Sequence, residues 1–157
     1  MAEVDRHIFG TLRRARRLWA VAAIHGEAAR LNGLHDKLAD RLREGDRLVY
    51  LGNYMGHGPA VCATIDSLLD FRREFLAAPS MFACDIVYLR GQQEEMWQKL
   101  LQLQLAVGPS EVLAWMLEQG VQATLVAYGG DADEAGRRAR SGALDLARWT
   151  NELRRQM

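Results

Sequence analysis

The sequence has little of most features that would assign a compartment or a chemistry at once. Cysteine occurs only twice in 157 residues, at Cys62 and Cys84. Two thiols cannot build a disulfide framework; they suit a reducing cytoplasm and read as buried structural thiols. Proline occurs three times, which excludes a Pro-rich linker, and no internal repeat or low-complexity tract is present. Neither sign of charge is in surplus, with 20 Lys+Arg against 20 Asp+Glu. General nucleic-acid binding needs an excess of cations to displace phosphate counterions, so the balance argues against that class. No apolar run reaches the roughly 18 residues that span a bilayer, and MAEVDRHIFG lacks the apolar core of a signal peptide. Histidine is scarce and unevenly placed: His7, His25, His35 and His57 leave the last hundred residues without an imidazole.

What is present describes one domain, residues 1–157, in which 49% hydrophobic and 25% charged residues can build a real core. RLWAVAAI (17–24), RLVYLG (47–52) and DIVYLRG (85–91) are short apolar runs closed by turn residues, and each reads as a buried strand. Leu31, Leu34, Leu38 and Leu42 form one stripe of an amphipathic helix between the first two. Pro59 falls where a second helix's first turn would begin, carried on by Val61, Ile65, Leu68, Leu69, Phe75 and Leu76. The region 92–157 is helical in pattern. It opens on Gln92-Gln93-Glu94-Glu95, a polar first turn whose acids the helix dipole favours. Met96, Trp97, Trp115 and Met116 read as core or partner-facing packing, and Leu146, Trp149 and Leu153 share one side of a last helix. VQATLVAY (121–128) alternates like a strand but also suits a short helix, and both assignments stay open. Strands separated by helical patterns imply an α/β domain with a parallel sheet flanked by helices. In such sheets ligands bind at the carboxyl ends of the strands.

The three loops at those ends read AAIHG (22–26), GNYMGHGP (52–59) and RGQQEEM (90–96). Their order and spacing resemble the signature of the calcineurin-like metallophosphoesterases, in the bacterial serine/threonine phosphoprotein phosphatase branch: G-D-x-H-G, then G-D-x-x-D-R-G, then G-N-H-E. EVLAWMLEQGVQATLVAYG (111–129) is similar to a stretch of bacterial members ending N-G-G-x-x-T-L-x-S-Y-G, so the resemblance covers about residues 17–130. It implies the N-terminal half of a β-sandwich fold with a helical C-terminal part, and a two-metal site that clamps a phosphoryl group and activates water.

The chemistry of that site is altered at nearly every matching position. A metal-binding Asp corresponds to Ala23, while a ligand His is kept as His25. The bridging Asp corresponds to Asn53, the second Asp of that motif to Gly56, and the phosphate-gripping Arg to His57. In the third motif Arg90 and Glu94 survive, but the ligand Asn corresponds to Gln92 and the proton-donating His to Gln93. Glutamine is no general acid. Two further family histidines come from a C-terminal half that this chain is expected to lack. The resemblance therefore implies a catalytically inactive, phosphatase-like protein, with no metal site and no cofactor, acting in the cytoplasm as a protein-interaction or scaffold module. The alternatives are a phosphate or nucleotide sensor using the vestigial pocket, and a phosphoesterase with residual or altered activity. His25 reads as a hydrogen-bonded turn residue, and RRARR (13–17) as a solvated run flanking the first strand.

One physical corollary concerns partners. The family fold packs two sheets face to face, and this chain encodes strands for one. An apolar face left bare is costly, at roughly 25 cal/mol per Å², and a large patch normally marks an interface. Either helices from 110–157 cover it or another chain does, so a homodimer or an obligate hetero-complex is expected.

Overall fold

The computed structural model describes Leu12 and residues 14–156; His7 and Arg13 lie outside the described residues. Three parallel strands form the sheet: β1 (Arg17–Val21), β2 (Asp46–Tyr50) and β3 (Ile86–Tyr88), in the order β1-β2-β3. The strands are shorter than their apolar runs, because Ala22–Ile24, Leu51–Gly52 and Leu89–Arg90 already belong to the loops. Register pairs Trp19 with Leu48 and Leu48 with Ile86, and likewise Val21, Tyr50 and Tyr88. Those side chains form one face and pack with Leu31 and Leu38 of α1 (Ala28–Ala39) and Leu68, Phe71 and Phe75 of α2 (Val61–Ala77).

Several expected core positions are shifted. In α1 the buried stripe is Leu31, His35 and Leu38, while Leu34 faces solvent and Leu42 lies beyond the helix. His35 can be buried because both ring nitrogens are satisfied. Nε2 lies 2.9 Å from the Tyr50 hydroxyl and Nδ1 lies 3.2 Å from Ser67 Oγ. Ser67 donates its hydroxyl proton to Asn32 Oδ1, so His35 carries its own proton on Nδ1 and accepts from Tyr50. Burial holds its pKa down at about 4, against a weaker pull from Asp36. In α2, Leu69 is exposed, and Thr64 and Phe71 take inward positions. Pro59 precedes the N-cap residue Ala60 rather than sitting in the first turn.

The segment left open at 121–128 is helical. Helix α3 (Gln92–Leu100) is followed by α4 (Pro109–Met116), a π-turn at Leu117–Val121, α5 (Gln122–Ala127), α6 (Ala132–Ser141) and α7 (Ala143–Arg155). Gly142 divides α6 from α7 where the pattern alone suggests one helix. These helices enclose a second core of their own, including Trp97, Leu100, Leu113, Met116, Leu125, Leu146 and Trp149. Trp115 points outward, half-exposed. Among the described residues no helix is long and apolar enough to cross a membrane.

Two other expectations are corrected. Cys62 and Cys84 are exposed. Cys62 follows the first residue of α2 and donates to the Ala127 carbonyl, and Cys84 sits in a single 3₁₀ turn before β3. Arg17 is more than a solvated end of its basic run. Its guanidinium grips Asp46 at 2.7 and 2.9 Å, and Trp19 Nε1 and the Arg43 N–H also donate to that carboxylate. This hydrogen-bonding, led by Arg17, holds the buried Asp46 down at about pKa 2.

Candidate functional site

The three loops do converge at the carboxyl ends of the strands, and backbone contacts hold them there. The Asn53 carbonyl accepts from the N–H groups of Ile24 and His25, both at 2.9 Å, and the Tyr54 carbonyl accepts from Gly26. Gly58 N–H donates to the His25 carbonyl at 2.8 Å. Gly52, at φ +91°, lies so close to the third loop that an added Cβ would fall 2.2 Å from the Gly91 nitrogen, which is why a residue without a side chain is needed there.

Three non-glycine residues at matched positions adopt the left-handed conformation: His25 at φ 54°, Asn53 at φ 55° and His57 at φ 58°. Each costs on the order of 1–2 kcal/mol for an L-residue. Such conformations persist only when the surrounding hydrogen bonds over-determine them, and they cluster at functional sites.

Glu94 is the hub. Its Oε2 accepts from Asn53 N–H at 2.8 Å and Gly91 N–H at 2.7 Å, and its Oε1 accepts from Tyr54 N–H at 2.8 Å. The bond to Gly91 closes the N-terminus of α3, and the other two pull the second loop onto it. Asn53 returns the contact: its Oδ1 accepts from Gln93 N–H at 3.0 Å. Tyr54 anchors the same loop from below, donating to the Leu89 carbonyl at 2.6 Å, and burial pushes its phenol pKa up so that it stays a neutral donor.

The imidazoles of His25 and His57 meet edge to face, with centroids 5.1 Å apart. Gln93, 4% exposed, reaches both the second loop and the C-terminal helices. Its Nε2 donates to the Gln119 carbonyl at 2.7 Å and lies 3.4 Å from His57 Nε2. Two buried atoms at this centre have no protein partner, His25 Nδ1 and Gln93 Oε1. His57 also borders a cleft of about 590 Å³ that runs between Gly58-Pro59 and α5.

Not every matched position joins this cluster. Ala23 is exposed in the loop that follows β1. Gln92 is an exposed first residue of α3. Arg90 turns outward, pairing with Glu95 at 3.2 Å and with Gln98. Gly56 does join: its N–H donates to the buried Thr124 Oγ1 at 3.0 Å. That bond, the Gln119 carbonyl and the His57 N–H to Gly120 carbonyl bond at 3.1 Å tie the second loop to the π-turn and α5. Motif reading missed this contribution. Its sequence signs are Gly120 inside an otherwise helical run, a position that usually has a packing or functional reason, and the similarity of 111–129, Thr124 included, to a stretch of the bacterial phosphatases.

The donor set does not fit the two-metal centre that the resemblance implies. Such a centre needs several carboxylates and imidazoles aimed at one point. Among the described residues no three His, Cys, Asp or Glu side chains are grouped so that they could hold a cation. Both Glu94 oxygens are engaged by backbone N–H groups, and the Asn53 oxygen is taken by Gln93. No protein-family model, no curated protein and no solved structure matches the chain.

Proposed function

We propose that the chain is a catalytically inactive, phosphatase-like protein whose work is to bind another protein. The carrying observation is how the polar side chains of the three loops are used. Loops with left-handed residues at three matched positions converge as an active site would. Most of their polar atoms are nevertheless spent within the protein: both Glu94 oxygens on three N–H groups, the Asn53 oxygen on the Gln93 N–H, and the Gln93 amide nitrogen on Gln119 and His57, which leaves Gln93 Oε1 and His25 Nδ1 without a protein partner. A metallophosphoesterase site keeps such groups pointed at metal and phosphate, and preorganised donors aimed at the reacting atoms supply the rate. Here the same framework supports a rigid surface instead. Where a general acid would stand, Gln93 can donate a hydrogen bond but cannot deliver a proton to a leaving group.

The test is hydrolysis of an aryl phosphate by the full chain in the presence of Mn²⁺, beside a His25→Ala variant. The expected result is no turnover above buffer in either protein. Turnover by the unmodified chain that His25→Ala abolishes would overturn the proposal.

A further inference from the structure

We infer that the outer edge of β3 takes up a short extended segment of a partner protein, one that carries an apolar and an acidic side chain two positions apart. Two separate features meet there. The first is the edge itself. The sheet ends at β3, and among the described residues no strand pairs beyond it. Leu89 N–H turns inward to the Tyr50 carbonyl at 2.9 Å, so alternation along the strand turns the Tyr88 N–H and carbonyl outward. Such groups are a template for one more strand. The second feature is an apolar groove of about 340 Å³ beside that edge, lined by Tyr54, Ile65, Leu68, Leu69, Arg72 and Tyr88. It lies on the face that α2 covers, where alternate side chains of an added strand would point. Leu68 and Tyr54 are buried beneath it, whereas Leu69 is left 47% exposed.

Charge names the occupant. Arg72 is the one charged residue lining the groove. Three and four positions away on α2 stand Leu68, Leu69, Phe75 and Leu76, so no carboxylate of its own helix is placed to pair with it. The ion pair within α2 joins Arg73 to Asp70 instead. Arg72 is close enough to Tyr88 for its charge to oppose the upward pKa shift that burial gives that phenol. A cation set on an apolar groove favours a carboxylate and rejects an ammonium group. Spacing then fixes the motif. Arg72 stands about 6 Å along α2 from Leu68, and same-face residues of a strand are about 6.6 Å apart. An apolar side chain can therefore fill the groove while an acidic one two positions away reaches Arg72. Since β3 has three residues, the segment is short and its dissociation constant should be about 1–100 µM.

The inference rests on the protein-binding reading above and names the surface and the chemistry of its partner. Random heptapeptides displayed on phage are selected against the full chain, and the enriched sequences are remade with a fluorescent label for polarisation titrations. An acidic and an apolar residue two positions apart should be enriched. Arg72→Glu should weaken those peptides at least about 10-fold, and its own selection should enrich a basic residue where the parent takes an acidic one. Arg72→Gln, which removes only the charge, should fall between the two. Leu69→Ser should weaken binding at least about 5-fold with the acidic preference kept. Both side chains are exposed, so the far-ultraviolet circular dichroism of each variant should match the parent. Amide hydrogen exchange at Tyr88 should slow when peptide binds, as an added strand requires. Selection without enrichment would overturn the inference. So would enriched peptides that Arg72→Glu binds as the parent does, or protection that leaves Tyr88 unchanged. Phosphatase turnover would end the inactive-protein reading and leave the groove standing, whereas an inactive chain that selects no peptide would end only the groove.

Discussion

Replacing Glu94 separates a structural carboxylate from a ligand. In the fold its two oxygens accept three backbone N–H groups at 2.7–2.8 Å, two from the second motif loop and one from the N-terminus of α3. A hydrogen bond to a charged group contributes roughly 1.5–3 kcal/mol net when buried. Glu94 is half-buried, so about 1 kcal/mol apiece is the safer figure, or about 3 kcal/mol for Glu94→Ala. Glu94→Gln is gentler and more informative. Its remaining oxygen can keep the two N–H groups that Oε2 now holds, but its amide nitrogen would face the Tyr54 N–H, donor against donor. The expected loss is about 2 kcal/mol. In urea, with a slope of about 1–3 kcal/mol per molar, the midpoint should fall by about 0.7–2 M. Fluorescence of the buried Trp97 and Trp149 reads the transition. Mn²⁺ titration of the folded protein should show the same response, or absence of response, before and after the change. A midpoint within about 0.3 M of the parent, or metal binding that disappears with the carboxylate, would refute the clamp.

Two further predictions follow from single residues. His35 is held neutral, with a pKa of about 4 against 6.5 when unfolded. The unfolded chain therefore takes up the proton first, and stability is whole above about pH 6.5 and is lost as pH falls toward 4. Between pH 7.5 and 5 the loss should be about 2 kcal/mol in urea titrations, and His35→Phe should flatten that slope even if it lowers stability overall. A slope unchanged in the variant would show that other groups set it. Gly120 sits at φ +95°, and a Cβ there would fall 2.4–2.6 Å from the His57 ring. Gly120→Ala should cost about 1–2 kcal/mol in conformation alone and displace the imidazole from Gln93, visible as shifts of the His57 ring signals in NMR. Unmoved signals with full stability would count against this packing.

The parts of the fold that were legible in the sequence are those written in local patterns. Three apolar runs ending in turn residues became three parallel strands, and the polar turn at Gln92–Glu95 opened a helix as the dipole argument requires. What escaped was decided by partners distant in sequence. Leu34 looks like the next inward residue of α1, yet His35 takes that place because Tyr50 and Ser67 satisfy both its nitrogens. Residues 121–128 alternate as a strand would. They fold as a helix that supplies Thr124 to the Gly56 N–H, a contact spanning 68 positions. The cysteines failed a composition rule because exposure of a thiol is settled by its place in the fold, an outward position in the first turn of α2 for Cys62 and a surface 3₁₀ turn for Cys84.

The site shows the division most plainly. Motif spacing was enough to name His25, Asn53, His57, Gln93 and Glu94, which meet, but it also named Ala23, Arg90 and Gln92, which do not. Spacing carries the path of the backbone, because loops at the ends of adjacent parallel strands must approach one another. It carries no information on where a side chain turns once its former ligand chemistry is gone. Arg90, just before α3 and within reach of Glu95 in that helix's first turn, turns to the surface. Gln93, next to a loop carbonyl and an imidazole, turns inward. The two faces of the sheet divide in the same way. Alternation along β1 and β2 marks both as largely apolar, and only the placement of α1 and α2 decides which one carries the core of Leu48, Tyr50 and Ile86 while Leu18 and Leu51 on the other stay exposed.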